Sequence, residues 1–184
     1  MPRIPELDVA KLSPEQRSVH DTIVAGPRGK VEGPLKVWLQ SPKFAERAQE
    51  LGTHCRFNSG LPPRLSELAI LLTGAYWKAG FEWWAHAPMA LKAGLGPEAI
   101  EAIRVGRKPV LARADEAAVY AFASELMRNR RVSDTTYRLA VAELGQTGIV
   151  DLIGILGYYA LVSMTIVAFE VPLPQGAVDP FPAS

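Results

Sequence analysis

Glu82 and His86 stand four residues apart in the run Phe81-Glu82-Trp83-Trp84-Ala85-His86. On a helix that spacing puts a carboxylate and an imidazole on one face. Walled by aromatic side chains, such a pair can move a proton near neutral pH. Glu67 lies one helix upstream and completes a set of two carboxylates and one imidazole. Two effects act on Glu82. If Gly80 breaks the chain between two helices, Glu82 falls in a first turn, where the helix dipole favours the ionised carboxylate. Burial against Tyr76, Trp77, Trp83 and Trp84 favours the protonated acid instead. A carboxyl pulled both ways can titrate usefully near neutrality. The plainer alternative for Glu82 and His86 is an exposed helix pair worth a few tenths of a kcal/mol. For Glu67 it is a structural ion pair, with Arg64 the local partner. The aromatic residues are core or subunit-contact residues on that plainer reading. The three side chains could also be seen as metal ligands, but no second Glu-His cluster accompanies them, so no metal is assigned.

The elements that must position these residues are helices. No stretch shows a sustained period of two with hairpin turns, so the fold class is all-α, with about seven to nine helices in a single domain spanning 1–184. Ser13-Pro14-Glu15-Gln16 supplies an N-cap, a proline at the first helical position and a capping-box glutamine, and Gly26-Pro27 closes that helix. Val19, Ile23 and Val24 are expected to face inward. Pro34 to Gln40 reads as a short helix placing Leu35, Trp38 and Leu39 on the core, and Ser41-Pro42 starts another with Phe44, Ala48 and Leu51 on its apolar face, continuing past Gly52 toward Cys55.

From Pro63 the helical spacing of Leu65, Leu68, Ala69, Leu72, Ala75 and Tyr76 marks a core helix, and Phe81 to Ala93 forms the next, ended by Gly94. Pro88 lies inside that second helix and cannot donate to the carbonyl of Trp84, which predicts a kink or a restart within a turn of His86. Gly96-Pro97 opens a short helix to Val105. Asp115 is read as the cap of a helix that aligns Val119, Phe122, Ala123 and Leu126. Ser133 caps one that turns Tyr137, Leu139, Ala140 and Leu144 inward until Gly145 to Gly148 break it, and a helix over 151–170 follows. Four prolines keep the tail 171–184 extended.

Composition narrows the function classes. Lys plus Arg number 20 against 19 Asp plus Glu, a net charge of +1, and no basic run offers a nucleic-acid footprint. Arg128, Arg130 and Arg131 read as a solvated helix end. Cys55 is the single cysteine, which excludes an intrachain disulfide and a Cys-rich zinc site and suits a reducing cytoplasm. It is read as a buried structural thiol, because adjacent His54 points about 100° away on a helix. His20 is read as a surface residue. The N-terminus has no apolar signal region, and cytoplasmic localisation is expected. Leu152 to Phe169 runs 18 residues without a formal charge, at the lower limit for a membrane span. Flanking Asp151 and Glu170, with Gly154, Gly157, Ser163 and Thr165 within, favour a buried helix and no membrane. A helix apolar on all sides needs cover on all sides, which in so small a protein hints at a homo-oligomer.

The run RLSELAILLTGAYWKAGFEWWAHAPMALKAGLGPEAIEAIR, within 62–103, resembles the carboxymuconolactone decarboxylase family with its AhpD-like fold. The matching elements are the Glu67 helix, Glu82-Trp83 followed by His86, and the Ala93-Gly94-Leu95 turn leading to Glu98-Ala99-Ile100. A weaker echo continues through Ser133-Asp134, Glu143-Leu144, the Gly148 to Asp151 turn, Tyr158 and Val171-Pro172-Leu173-Pro174. In the redox branch of this family two cysteines precede the histidine by seven and four residues. Here those positions are Ala79 and Glu82, which can form neither a thiolate nor a disulfide. The resemblance is therefore to the decarboxylase branch. It implies a homo-oligomer, trimer or hexamer, and a small anionic substrate, a carboxylated unsaturated γ-lactone of the 4-carboxymuconolactone type from aromatic catabolism, decarboxylated without metal or organic cofactor. On that reading His86 donates to the developing dienolate oxygen, Glu82 transfers the proton at carbon, and Glu67 orients His86 or serves as a second acid. Tyr76, Trp83 and Trp84 bind substrate and exclude water. The alternatives are AhpD-like peroxide reduction, disfavoured by the missing cysteines, and a non-catalytic ligand-binding oligomer.

Overall fold

A computed structural model describes residues 2–182. Among them are eight α-helices: α1 (Pro14–Ala25), α2 (Pro34–Trp38), α3 (Pro42–Thr53), α4 (Pro63–Trp77), α5 (Gly80–Lys92), α6 (Pro97–Arg104), α7 (Ala114–Asn129) and α8 (Asp134–Phe169). A 3-10 turn, Val9–Lys11, precedes α1, and a π-helical turn, His54–Asn58, carries α3 past Cys55 as the apolar pattern implies. The described residues contain no strand, so the all-α expectation holds. The capping box at Ser13 and Gln16 forms as the sequence requires, with Ser13 accepting from the Gln16 amide and Gln16 accepting from the Ser13 amide.

α4 is the centre of the molecule. Every residue from Leu65 to Gly74 is buried, and α5, α7 and α8 pack around it. Lys78 ends the helix in a left-handed conformation (φ 52°), with its amide donating to the Ala75 carbonyl at 3.1 Å and the Ala79 amide to Gly74 at 2.9 Å. Those bonds reverse the chain within two residues, and α5 returns along α4. At the other end of α4, Arg64 donates to Glu116 at 2.6 Å and to Asp115 at 2.7 Å, tying α4 to the start of α7. Arg64 therefore does not pair with Glu67. Asp115 does not cap α7 either: Arg113 occupies the N-cap, and the Asp115 carboxylate holds Arg64.

Several faces are rotated from the periodicity. On α3 the buried residues are Ala45, Ala48, Gln49 and Gly52, while Phe44 and Leu51 are exposed. Small residues turn inward there because α3 packs against α1 and α2. On α1, Val19 and Ile23 are buried and Val24 is exposed. Tyr76 is 54% exposed at the end of α4, past the covered portion of that helix.

α8 is bent at Gly145, whose φ of 70° and ψ of 170° leave the helical region and are conformations glycine adopts without a Cβ penalty. The arm before the bend buries only Ala140 fully; Tyr137 and Leu139 are exposed, contrary to expectation. The arm after it is long and apolar enough to cross a membrane by length and composition, and half of its most apolar window is buried within the molecule. Leu152, Ile155, Tyr158, Tyr159, Val162 and Ile166 face the core, while Val150, Ile153, Met164 and Val167 are exposed along the other side. Beyond α8 the described part of the tail runs extended over its own chain. Phe181 packs against Trp83 with ring centroids 5.4 Å apart, and Arg104 donates to the Pro180 carbonyl at 2.8 Å. Residues 183 and 184 lie outside the described residues.

Candidate active site

The α4–α5 hairpin brings Glu67 against His86 across 19 residues of sequence. Glu67 Oε2 lies 2.8 Å from His86 Nδ1, and His86 Nε2 lies 2.9 Å from Glu82 Oε1. The result is a chain of carboxylate, imidazole and carboxylate, with all three residues buried. Tyr159 meets the His86 ring edge-on, centroids 5.2 Å apart, and fixes its plane from the α8 side. Glu82 is in the first turn of α5, where the free amides of the helix end favour negative charge.

Burial pushes the His86 pKa down, but Coulombic attraction to Glu82 and hydrogen bonds to Glu67 and Glu82 outweigh it and raise the pKa to about 9. At neutral pH the ring is therefore an imidazolium that donates through both nitrogens. A protonated ring is a stored proton rather than a base, and both of its donors are already occupied. Direct donation from His86 to a substrate oxygen would require Nε2 to leave Glu82.

A cavity of about 380 Å³ opens onto this chain. Glu82 and His86 line it, as do Phe81, Trp84, Tyr158 and Tyr159. Glu67 is not part of the wall, so it contacts His86 from behind. Of the three aromatic residues assigned to substrate, Trp84 alone lies on this wall. Trp83 turns away to pack on Phe181, and Tyr76 lines a separate cavity beside Arg104 and Tyr120. Trp83 and Trp84 are adjacent on α5 and cannot both face one way, since successive side chains diverge by about 100°, and Tyr76 lies near the end of α4. The Tyr158 and Tyr159 hydroxyls, by contrast, come from α8. Burial pushes the Tyr158 pKa up to about 12 and that of Tyr159 well above 10, so both remain hydroxyl donors at neutral pH.

α5 runs unbroken through Pro88 to Lys92, and the expected restart near His86 does not occur. Proline's fixed φ fits a helix; what is lost is the single hydrogen bond to the Trp84 carbonyl. Arg28 and Arg56 also line the cavity and were not singled out by spacing. Arg56 reaches it from the π-helical turn, a distortion that leaves no mark in sequence periodicity. Cys55 is buried on that turn, and burial raises its thiol to about 11. His54 contacts Asp151 at 3.3 Å, and His20 contacts Asp21 at 2.8 Å. Among the described residues no group of three or more His, Cys, Asp or Glu is arranged to hold a metal ion.

Residues 42–125, which contain Glu67, Glu82 and His86, match the model of the carboxymuconolactone decarboxylase family. The chain carries its likeness to that family over this stretch, and its fold is AhpD-like. An uncharacterized peroxidase-related protein from Silicibacter sp. TM1040 aligns with a TM-score of 0.75 at 14% identity, over 95% of this chain and 92% of the other. A second, from Ralstonia eutropha JMP134, described as an alkylhydroperoxidase AhpD core, aligns with a TM-score of 0.76 at 12% identity, over 95% and 93%. A protein of unknown function from Agrobacterium tumefaciens aligns with a TM-score of 0.67 at 17% identity, over 78% and 99%. At these identities the likeness shows the fold alone. No curated protein matches the sequence significantly. Compared with the redox branch of that family, the positions of its two cysteines are here Ala79, fully buried, and Glu82.

Proposed function

We propose that this protein is a cofactor-independent carbon–carbon lyase that decarboxylates a small carboxylated lactone of the 4-carboxymuconolactone type. The observation that carries this is His86 held between two carboxylates, with Glu82 at the cavity wall. Decarboxylation of such a lactone breaks a carbon–carbon bond, releases carbon dioxide and sends the bonding electrons through the double bond onto the lactone carbonyl. The resulting dienolate needs hydrogen-bond donors at oxygen and one proton at carbon. Tyr158 or Tyr159 supplies the hydroxyl donors, which burial keeps protonated. The proton moves from His86 Nε2 to Glu82 across their 2.9 Å contact, and from Glu82 to a carbon of the dienolate. Glu67 holds the imidazole in place and stabilises its charge; it is a positioning residue. Solvent then restores the His86 proton. Phe81 and Trp84 limit water in the cavity, which strengthens each of these interactions.

The likeness to peroxidase-related structures favours one competing activity, thiol-dependent peroxide reduction. Against it, no thiol lines the cavity, and the lone Cys55 is buried with its pKa raised to about 11. The exposed apolar residues on α8, Val150, Ile153, Met164 and Val167, stand at spacings of three, eleven and three, which keeps them on one helical face, and support a homo-oligomer of the trimer or hexamer type. The testing experiment is turnover by the purified protein. Carbon dioxide release with loss of ultraviolet absorbance from a carboxylated muconolactone supports the proposal, and peroxide consumption with a dithiol donor in its place rejects it.

A further inference from the structure

The cavity carries more positive charge than a proton relay needs. Arg28, in the loop after α1, and Arg56, on the π-helical turn, both line it, and neither forms a salt bridge among the described residues. Lys30 on the same wall differs, because Glu32 neutralises it at 2.8 Å. Arg28 Nη2 donates to the Tyr158 hydroxyl at 3.3 Å, while its Nε is buried with no hydrogen-bond partner. Arg56 Nη2 meets only the Met89 thioether, at 3.5 Å, a weak acceptor. The two guanidinium carbons lie 5.9 and 5.2 Å from the centroid of one ring, Phe57, so a single aromatic side chain braces both groups. A guanidinium has five N–H donors in a fixed fork, and most of these ten are unused. Leaving such donors unmatched in a half-buried wall is costly unless a ligand completes them.

Both groups adjoin the relay. Tyr158 packs on Tyr159 with centroids 5.3 Å apart, and Tyr159 packs on His86 at 5.2 Å. Met89 lies three residues beyond His86 on α5, within one helical turn. The backbone is also shaped to admit Arg28 on Tyr158: a Cβ at Gly52 would fall 2.1 Å from the Tyr158 hydroxyl and 2.5 Å from Arg28 Nη2.

We infer that Arg28 and Arg56 form a carboxylate-binding subsite that anchors an anionic group of the substrate which the reaction leaves intact. This rests on the lyase reading for its chemistry but not for its binding. A carboxylate about to leave as carbon dioxide must give up its negative charge, and an arginine pair would stabilise it in the ground state and oppose that loss. The arginine pair therefore suits a retained carboxylate, and the reacting one belongs elsewhere in the cavity, near Glu82. Arg28 and Arg56 are then the residues that select charged over neutral substrates of the same shape.

The test is calorimetric titration of the full chain with isophthalate, a rigid and unreactive dicarboxylate, and with its neutral diamide. Isophthalate is expected to bind at least tenfold more tightly than the diamide and to weaken with added salt. Arg28→Met and Arg56→Met are each expected to weaken isophthalate binding by about tenfold to a hundredfold, the range for a lost charge-assisted hydrogen bond. Arg→Lys at either position should restore part of the loss, because it keeps the charge without the fork. With a turned-over lactone the same variants should raise KM while kcat stays within a few-fold. Equal affinity for isophthalate and diamide, or isophthalate binding unchanged in both methionine variants, overturns the subsite. Inorganic phosphate binding more tightly than isophthalate, with the same arginine dependence, overturns its carboxylate selectivity. If isophthalate binding behaves as expected but no carboxylated lactone is turned over, the subsite stands and the lyase reading falls; the converse pair of results does the reverse.

Discussion

Replacing His86 with Gln should remove most of the fall in stability that the wild-type protein shows between pH 6.5 and 9. The imidazole is fully enclosed, and its pKa rises from an ordinary 6.5 to about 9 in the folded chain, because the two carboxylates outweigh burial. A folded-state pKa above the unfolded one means that the native state holds its proton more tightly. The stabilisation is then complete below about pH 6.5, declines through the window, and is gone above about pH 9. A rise of about 2.5 pH units at 1.36 kcal/mol each corresponds to a contribution on the order of 3 kcal/mol. For a chain of this length that is roughly 6 to 12 °C in Tm. The assay is urea or thermal unfolding at pH 6, 7.5 and 9.5, at one fixed protomer concentration because association shifts apparent stability. The exposed or half-exposed His20 and His54 remain in both proteins, so the difference between the two profiles isolates His86. His86→Gln leaves two buried carboxylates without a cation and should itself cost about 3 to 5 kcal/mol. Should it fail to fold, Glu67→Gln serves in its place: with one carboxylate gone, the decline should begin at lower pH and have smaller amplitude. A wild-type stability that is flat or rising from pH 6.5 to 9, or that matches the His86→Gln profile, would refute the bracketed imidazolium.

Other consequences are as direct. Nitrogen-15 spectra of the three histidines should show His86 protonated on both ring nitrogens at pH 7, identified by its loss in His86→Gln, and titrating near 9. Gly52→Ala should force Tyr158 and Arg28 from their places and lower stability by about 1 to 3 kcal/mol, measured by thermal unfolding. Arg64→Ala leaves Asp115 and Glu116 without their cation, and a loss of about 3 to 5 kcal/mol is expected by denaturant titration. Trp84→Ala should impair turnover, whereas Tyr76→Ala, whose ring lies at another cavity, should leave kcat/KM within about twofold, a surface-level effect. Cys55→Ala should keep full lyase activity, and wild-type Cys55 should resist alkylation until the chain unfolds.

What the sequence conveyed most clearly was local. The four-residue interval between Glu82 and His86 is a helical contact by itself, and Gly80 and Pro63 mark the helices that bear the site. The Glu67 contact is long-range. It became legible through the family resemblance, and its bond to Nδ1 follows from how tightly Lys78 and Ala79 turn the chain. Periodicity failed where helices touch through small residues, as at Ala45, Ala48 and Gly52 of α3, because a hydrophobic scale ranks Phe44 and Leu51 above them. It also failed at helix ends, where Tyr76 and Tyr137 outrun the cover of their neighbours. Pro88 was expected to kink or restart α5, yet the helix continues through it to Lys92, because packing on its neighbours offsets the lost hydrogen bond. Arg28 and Arg56 gave no signal, because one lies on a loop and the other on a π-helical turn, and neither has a spacing to read.

The central claim is that a proton held on His86 reaches substrate carbon through Glu82. It is tested most directly by decarboxylation of a carboxylated muconolactone in D2O, with carbon dioxide quantified and the product examined by NMR, for the wild-type protein and Glu82→Gln. The account predicts stoichiometric carbon dioxide, one deuterium on a carbon of the former dienolate, and a rate at least about a hundredfold lower in Glu82→Gln. Full activity in Glu82→Gln, or no carbon dioxide from the wild-type protein, would contradict it.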